Sequence, residues 1–221
     1  MKTKNLLTLG LFTAALGLVS CDTAPKGDAA LVGDAQDASG TGERSLAIDG
    51  SASSIQFTGY GVGKNHPGVF ELKEGAVEVR DNQVIGGSFV IDIKSMDLLQ
   101  TESFIDEKLL PHLLSADFFD VEKFPEASFE ITGIVPYTPG EGETVVEGAN
   151  HKVSGNLKLR DLVKNITFPA SIVVEDDVVK AKANFDIDRT DWGMHYNNDK
   201  SLKDSFISPT VNVVLNLATK S

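Results

Sequence analysis

Three basic side chains, Lys64, His66 and Arg189, stand among glycine, proline and aromatic neighbours and are the groups best suited to meet an anion. An arginine presents a planar fork of donors that matches phosphate oxygens. Together the three could hold an anionic group such as a phosphate. Two structural readings compete: Arg189 pairs with Asp191 or a backbone carbonyl and fixes a turn, and His66 is a turn residue before Pro67. Other chemistry is thin. His66, His112, His151 and His195 show no H-x-x-x-H or H-E-x-x-H spacing that would mark a metal site. No serine lies in G-x-S-x-G, and no acid–base pair is marked. Asp186 and Asp188 share a strand face and read as solvated. Neither catalysis, a metal nor a cofactor is expected.

Cys21 carries chemistry of another kind. Lys2 and Lys4 form a positive start, Leu6 to Leu18 is an uncharged apolar run, and Leu18-Val19-Ser20-Cys21 closes it. That is the layout of a secretory signal, and it belongs outside fold reasoning. The run is shorter than the roughly 20 apolar residues a spanning helix needs. The closing tetrapeptide resembles the bacterial lipobox, in which the cysteine is acylated and becomes the new N-terminus. Cys21 is also the only cysteine of the chain, so no internal disulfide competes for it. An ordinary signal peptide with an incidental cysteine is the alternative. The reading is residues 1–20 signal peptide, 21–44 lipidated cysteine and flexible tether, and 45–221 one folded domain. It places the protein in a bacterial cell envelope, lipid-anchored to a membrane.

The net charge of −12 argues against nucleic acid or an anionic bilayer as a partner held by charge, since both need basic patches. Membrane association would then rest on the lipid. Residues 22–44 are rich in Asp, Ala, Gly, Ser and Thr without an aromatic. Such a stretch buries too little apolar surface to offset its ordering entropy, which is why it reads as a tether.

The elements that must position the basic residues are strands. Phe89, Ile91 and Ile93 alternate with polar or outward neighbours, as do Val153, Leu157 and Leu159, then Ala181 to Ile187, then Val211 to Leu217. Period-two alternation marks strands with one buried and one wet face. Turn signals separate them at Lys73-Glu74-Gly75, Asp81-Asn82, Pro139 to Gly142, Arg160-Asp161 and Glu175 to Asp177. Ser103 to Phe119 departs from this, with apolar spacings of three to five that predict one or two short helices interrupted by Pro111. Phe118-Phe119 and Phe124-Pro125 are read as packing that segment onto the strands rather than as a lid. The expected fold is mostly β, an antiparallel barrel of lipocalin-like outline with a short helical insertion.

An apolar stripe is the main candidate site. Phe57, Phe70, Phe89, Ile91, Phe129, Leu157, Phe168, Phe185, Ile187, Val211 and Val213 fall on inward parities. An eight-stranded barrel is just wide enough to be filled by side chains or to hold one small ligand. The stripe alone leaves both outcomes open.

Several blocks resemble the YceI-like family. They are Gly63-Lys64-Asn65-His66-Pro67-Gly68-Val69-Phe70, the run Gly86 to Met96, and the long block Leu110 to Phe129 with its Phe118-Phe119-Asp120-Val121-Glu122-Lys123-Phe124-Pro125 core. Val153 to Leu157 and Arg189-Thr190-Asp191-Trp192-Gly193 follow in the family's order. The family's R-G-V-T-K turn reads Arg160-Asp161-Leu162-Val163-Lys164 here, and Tyr196 to Pro209 is longer and more polar than the family pattern. The resemblance implies an extended eight-stranded antiparallel lipocalin-like barrel binding a long isoprenoid, such as a polyprenyl phosphate or a quinone tail, in an apolar tunnel. The eleven stripe residues would line that tunnel, with Lys64, His66 and Arg189 at its mouth. The alternative is an envelope interaction or structural module with a filled barrel and no small ligand. Oligomeric state is not legible.

Overall fold

The computed structural model describes residues 26–100, 102, 104–175 and 177–221; Cys21 and the residues expected to form a signal peptide lie outside them. Among the described residues eleven strands are present: β1 (Asp28–Ala29), β2 (Leu31–Asp34), β3 (Arg44–Ala47), β4 (Ser54–Gly61), β5 (Lys64–Arg80), β6 (Gln83–Leu98), β7 (Glu126–Pro136), β8 (His151–Leu159), β9 (Leu162–Glu175), β10 (Val178–Asp188) and β11 (Ile207–Ala218). β4 to β11 pair antiparallel in chain order, and β11 returns to β4, closing an eight-stranded barrel. Closure removes the edges that an open sheet would expose.

Alternation sets the inside. Ile55, Phe57, Phe89, Ile91, Phe129, Leu157, Phe168, Phe185 and Ile187 are buried within the barrel. Asp81 and Asn82 both take positive φ, 49° and 59°, in the β5–β6 hairpin, as a two-residue hairpin turn requires. In the β8–β9 hairpin the left-handed position falls on Arg160, φ 57°, rather than on Asp161. Lys73-Glu74-Gly75, expected as a turn, lies inside the long strand β5, where the β5–β6 register shifts between Leu72 and Glu74. A bulge of this kind re-aims a strand without ending it.

The helical segment forms between β6 and β7. A π-helical turn over Ile105–Leu109 runs directly into α1, Leu110–Leu114. Pro111 does not interrupt it. It sits in the first turn of α1, where a missing N–H leaves nothing unsatisfied.

The stretch expected as a flexible tether is bound to the barrel from Gly27 onward. The β9–β10 ladder stops at Ala170–Ala183, next to Pro169, which has no N–H to donate. Into the opening step β1, parallel to β10 beside Phe185 and Asp186, and β2, antiparallel to β9 over Thr167 to Lys164. The chain then girdles the barrel. Gln36 and Asn156 exchange two hydrogen bonds (3.0 and 2.7 Å), Ser39 N–H donates to the Ile131 carbonyl, and Gly42 N–H donates to Glu78. A Cβ on Gly42 would come within 2.6 Å of the Val79 backbone. β3 then pairs with β5. Composition misses this because the belt borrows order from strands it pairs with rather than burying much apolar surface of its own. Its backbone groups complete ladders that would otherwise be unmet.

Candidate functional site

The hairpins β4–β5 and β8–β9 and the connections β6–β7 and β10–β11 meet at one end of the barrel. There the interior opens into a cavity of about 570 Å³, within the range of pockets that bury a ligand of small-molecule size. All eleven stripe residues line it. So do residues the sequence reading did not single out, among them Ile55, Tyr60, Ile166, Met194 and Phe206. At the far end the remaining space is only about 50 Å³, between Val77, Val153, Ala170, Val179 and their neighbours.

Phenylalanines divide the two spaces. Phe89, Phe129, Phe168 and Phe185, from β6, β7, β9 and β10, follow one another with centroids 5.4, 5.9 and 4.1 Å apart, the last pair stacked at 11°. Phe89, Phe129 and Phe168 border both spaces. A second group, Phe57, Phe70 and Phe119, joins β4 and β5 to the segment after α1 at 4.9 and 5.6 Å. Gly68 makes room for it: a Cβ there would meet the Phe57 ring at 2.5 Å. Gly155 does the same for the Phe129 ring. Phe119 thus packs the helical segment onto the barrel, and both Phe118 and Phe119 also face the cavity.

The three basic candidates all border the cavity, with different commitments. Lys64 is exposed on the β4–β5 rim. His66 lies in β5 opposite Gly59 rather than in a turn, and its Nδ1 is 2.7 Å from Gln100 Oε1. Arg189 is 3% exposed. Its Nε donates to the Ser208 carbonyl, Nη1 to Met194, and Nη2 to Tyr196 and Ile207. Four of its five N–H groups are therefore spent on carbonyls from both sides of the β10–β11 connection. Its guanidinium also lies 5.3 Å from the Phe118 ring centre. Burial pushes its pKa below the ordinary value, against the pull of Asp188. Trp192, wholly buried, donates to the Leu157 carbonyl at 3.0 Å, and Gly193 ends the turn with φ 75°. The Arg189-to-Gly193 block therefore builds the rim.

The block around Phe118 is likewise architectural. Asp120 takes φ 48°, its N–H donates to the Ser115 carbonyl, and its carboxylate accepts from Lys123 at 2.8 Å. Asp186, read as solvated, accepts from Gly27 N–H and from Asn212, at 3.0 and 2.8 Å, beneath the belt. Asp188 is exposed and caps Thr190. Burial pushes the Tyr60 phenol up to about 12, with the charge of Asp186 adding to the effect. Among the described residues, no group of three or more His, Cys, Asp or Glu side chains is arranged to hold a metal ion.

This fold and these blocks have counterparts. The sequence profile of the YceI-like domain matches residues 46–219. The chain belongs to the YceI-like family. The chain is 33% identical over 81 residues to a UPF0312 protein of Pseudomonas putida (strain W619), a match covering 37% of this chain and 35% of that relative's length. In fold it is similar to BcnA of Burkholderia cenocepacia, with TM-score 0.61 and 16% identity over 78% of this chain and 99% of the other. It is also similar to a polyisoprenoid-binding domain from Saccharophagus degradans implicated in plant cell wall breakdown, with TM-score 0.58 and 14% identity over 80% and 98%. The YceI-like match begins at residue 46, within β3, so β1 and β2 lie outside it.

Proposed function

We propose that this protein is a lipid-anchored envelope protein that binds a long hydrophobic isoprenoid, of polyprenyl phosphate or quinone type, and sequesters or carries it. The observation that carries the reading is the open-ended cavity of about 570 Å³ with its carbon lining. An isoprenoid tail has no hydrogen-bonding groups to satisfy, so such a lining suffices, and each buried CH₂ contributes about 0.8 kcal/mol. The family and the isoprenoid-binding domain of the same fold support this ligand class. The hollow interior counts against the filled-barrel alternative. The head group would sit at the rim. Lys64 is its leading cationic partner, with His66 second, because Arg189 is largely committed to the rim carbonyls. The role is binding rather than catalysis.

Acyl chains on Cys21 would hold the protein to a membrane, since two or three chains anchor firmly where one does not. Native mass spectrometry and solvent extraction of the purified protein test the ligand. A bound prenyl lipid, or uptake of polyprenyl or quinone probes, is expected; an empty barrel that takes up neither would sink the reading. The anchor is tested separately, by fractionating cells that make Cys21→Ser. That variant should leave the membrane pellet.

A further inference from the structure

The cavity mouth is poor in cations that are free to meet a ligand. Four basic side chains border the cavity: Lys64, His66, His112 and Arg189. Arg189 is committed to the rim carbonyls. His112 holds its Nε2 3.0 Å from Asp117 Oδ2 and its ring edge-on to Tyr196. His66 is oriented by Gln100. Gln100 Nε2 donates to the Asn65 carbonyl, so Oε1 is the atom turned to His66, and His66 Nδ1 carries the proton that joins them. In the neutral ring Nε2 is then a bare acceptor. Of the four, Lys64 alone makes no hydrogen bond or ion pair with a described residue.

A carboxylate shares that mouth. Asp204, exposed, borders the cavity and likewise makes no hydrogen bond or ion pair with a described residue. The ladders set it near Lys64 and His66. Gly61 pairs with Lys64 across the β4–β5 hairpin and with Ile207 at the start of β11, just after Asp204, and Gly59 pairs with His66. The rim connections, residues 61–64, 99–125, 160–161 and 188–206, carry eleven Asp and Glu against seven Lys and Arg. An anionic head group approaching this end meets a field of its own sign.

Once there, a phosphate needs several charge-assisted donors and finds one free ammonium beside a free carboxylate. A hydroxyl fits better. Its oxygen accepts from Lys64, while its proton is donated to Asp204 or to His66 Nε2.

We infer that the cavity selects isoprenoids with an uncharged, hydrogen-donating head, a hydroxyl as in a prenol or a quinol, and that Asp204 is the residue that turns phosphorylated chains away. This rests on the proposed isoprenoid reading and narrows its ligand class. The carbon lining supplies affinity for any tail; the unpaired carboxylate supplies discrimination by repulsion.

The test compares heads on one tail. The purified protein, stripped of bound lipid by detergent exchange, is mixed with equal amounts of geranylgeraniol, its methyl ether and geranylgeranyl phosphate, and the complexes are quantified by native mass spectrometry. The alcohol should exceed both the phosphate and the ether, which cannot donate, by several-fold. Asp204→Asn removes the charge at nearly constant shape and should lower the alcohol-to-phosphate ratio several-fold; Asp204→Lys should invert it. A second mixture sets a geranylgeranyl quinol against its quinone and against geranylgeraniol. The quinol should exceed the quinone, and whichever of quinol and prenol leads identifies the source of the hydroxyl. A phosphate or ether that binds as well as the alcohol, a quinone that equals its quinol, or an alcohol-to-phosphate ratio that both Asp204 variants leave in place would each overturn the inference while the isoprenoid reading stands. Uptake of no probe at all would sink both.

Discussion

Above the layer of Phe89, Phe129, Phe168 and Phe185 the barrel encloses about 570 Å³; below it, about 50 Å³. The same strands, with the same alternation, build both halves. In the closed half β9 and β10 pair fully, and small inward residues such as Ala170 and Ala183 let the walls converge. In the open half those strands part, and β1 and β2 stand between them as an additional stave. A wider circumference at similar side-chain size leaves space unfilled. Cavity and core thus differ less in the chemistry of their residues than in how many strands surround them.

The sharpest way to break the open half is at Arg189. Replacing it with leucine leaves four carbonyls of the rim without their donor. That should cost about 4 kcal/mol or more in urea unfolding and abolish prenyl uptake. Removing the divider is next. Phe168→Ala should cost about 3 kcal/mol while joining the two spaces, so that native mass spectrometry detects longer bound prenyl chains than in the parent. A smaller effect separates the halves directly. Ala183→Leu, in the filled half, should lose about 1–3 kcal/mol by overpacking. Val213→Leu, facing the cavity, should alter stability little and reduce ligand capacity instead. The least is a pH effect. Because the folded Tyr60 phenol ionises near 12 rather than 10, the unfolded chain releases its proton first. Stability should therefore fall as pH rises from 10 toward 12, and Tyr60→Phe should remove that slope from the unfolding curves.

Much of this organisation is legible in the residues. Period two places Phe57, Phe70, Phe89 and Phe129 inward, and all eleven stripe positions reach the cavity wall, because parity along a strand is a local property. The split into hollow and filled halves is not local. It depends on where β9 and β10 separate, for which Pro169 is the only hint in the chain. Arg189 illustrates a second limit. A motif shows that an arginine stands beside the site, but not whether its donors point at a ligand or at the chain's own carbonyls. The belt shows a third, since a polar, glycine-bearing stretch reads as disordered until the strands that complete its hydrogen bonds are known.

The belt also has a history in time. Gly27 is among the first of the described residues to be synthesised, yet its partner Asp186 lies 159 residues further along the chain. Contacts of such sequence separation form slowly, after their loop has closed. Through translation the segment from Gly27 to Asp34 has no barrel to hold it, and its backbone groups stay in water until β9 and β10 are made. Once β10 is made, the same segment is drawn in, and what was an open handle becomes part of the wall.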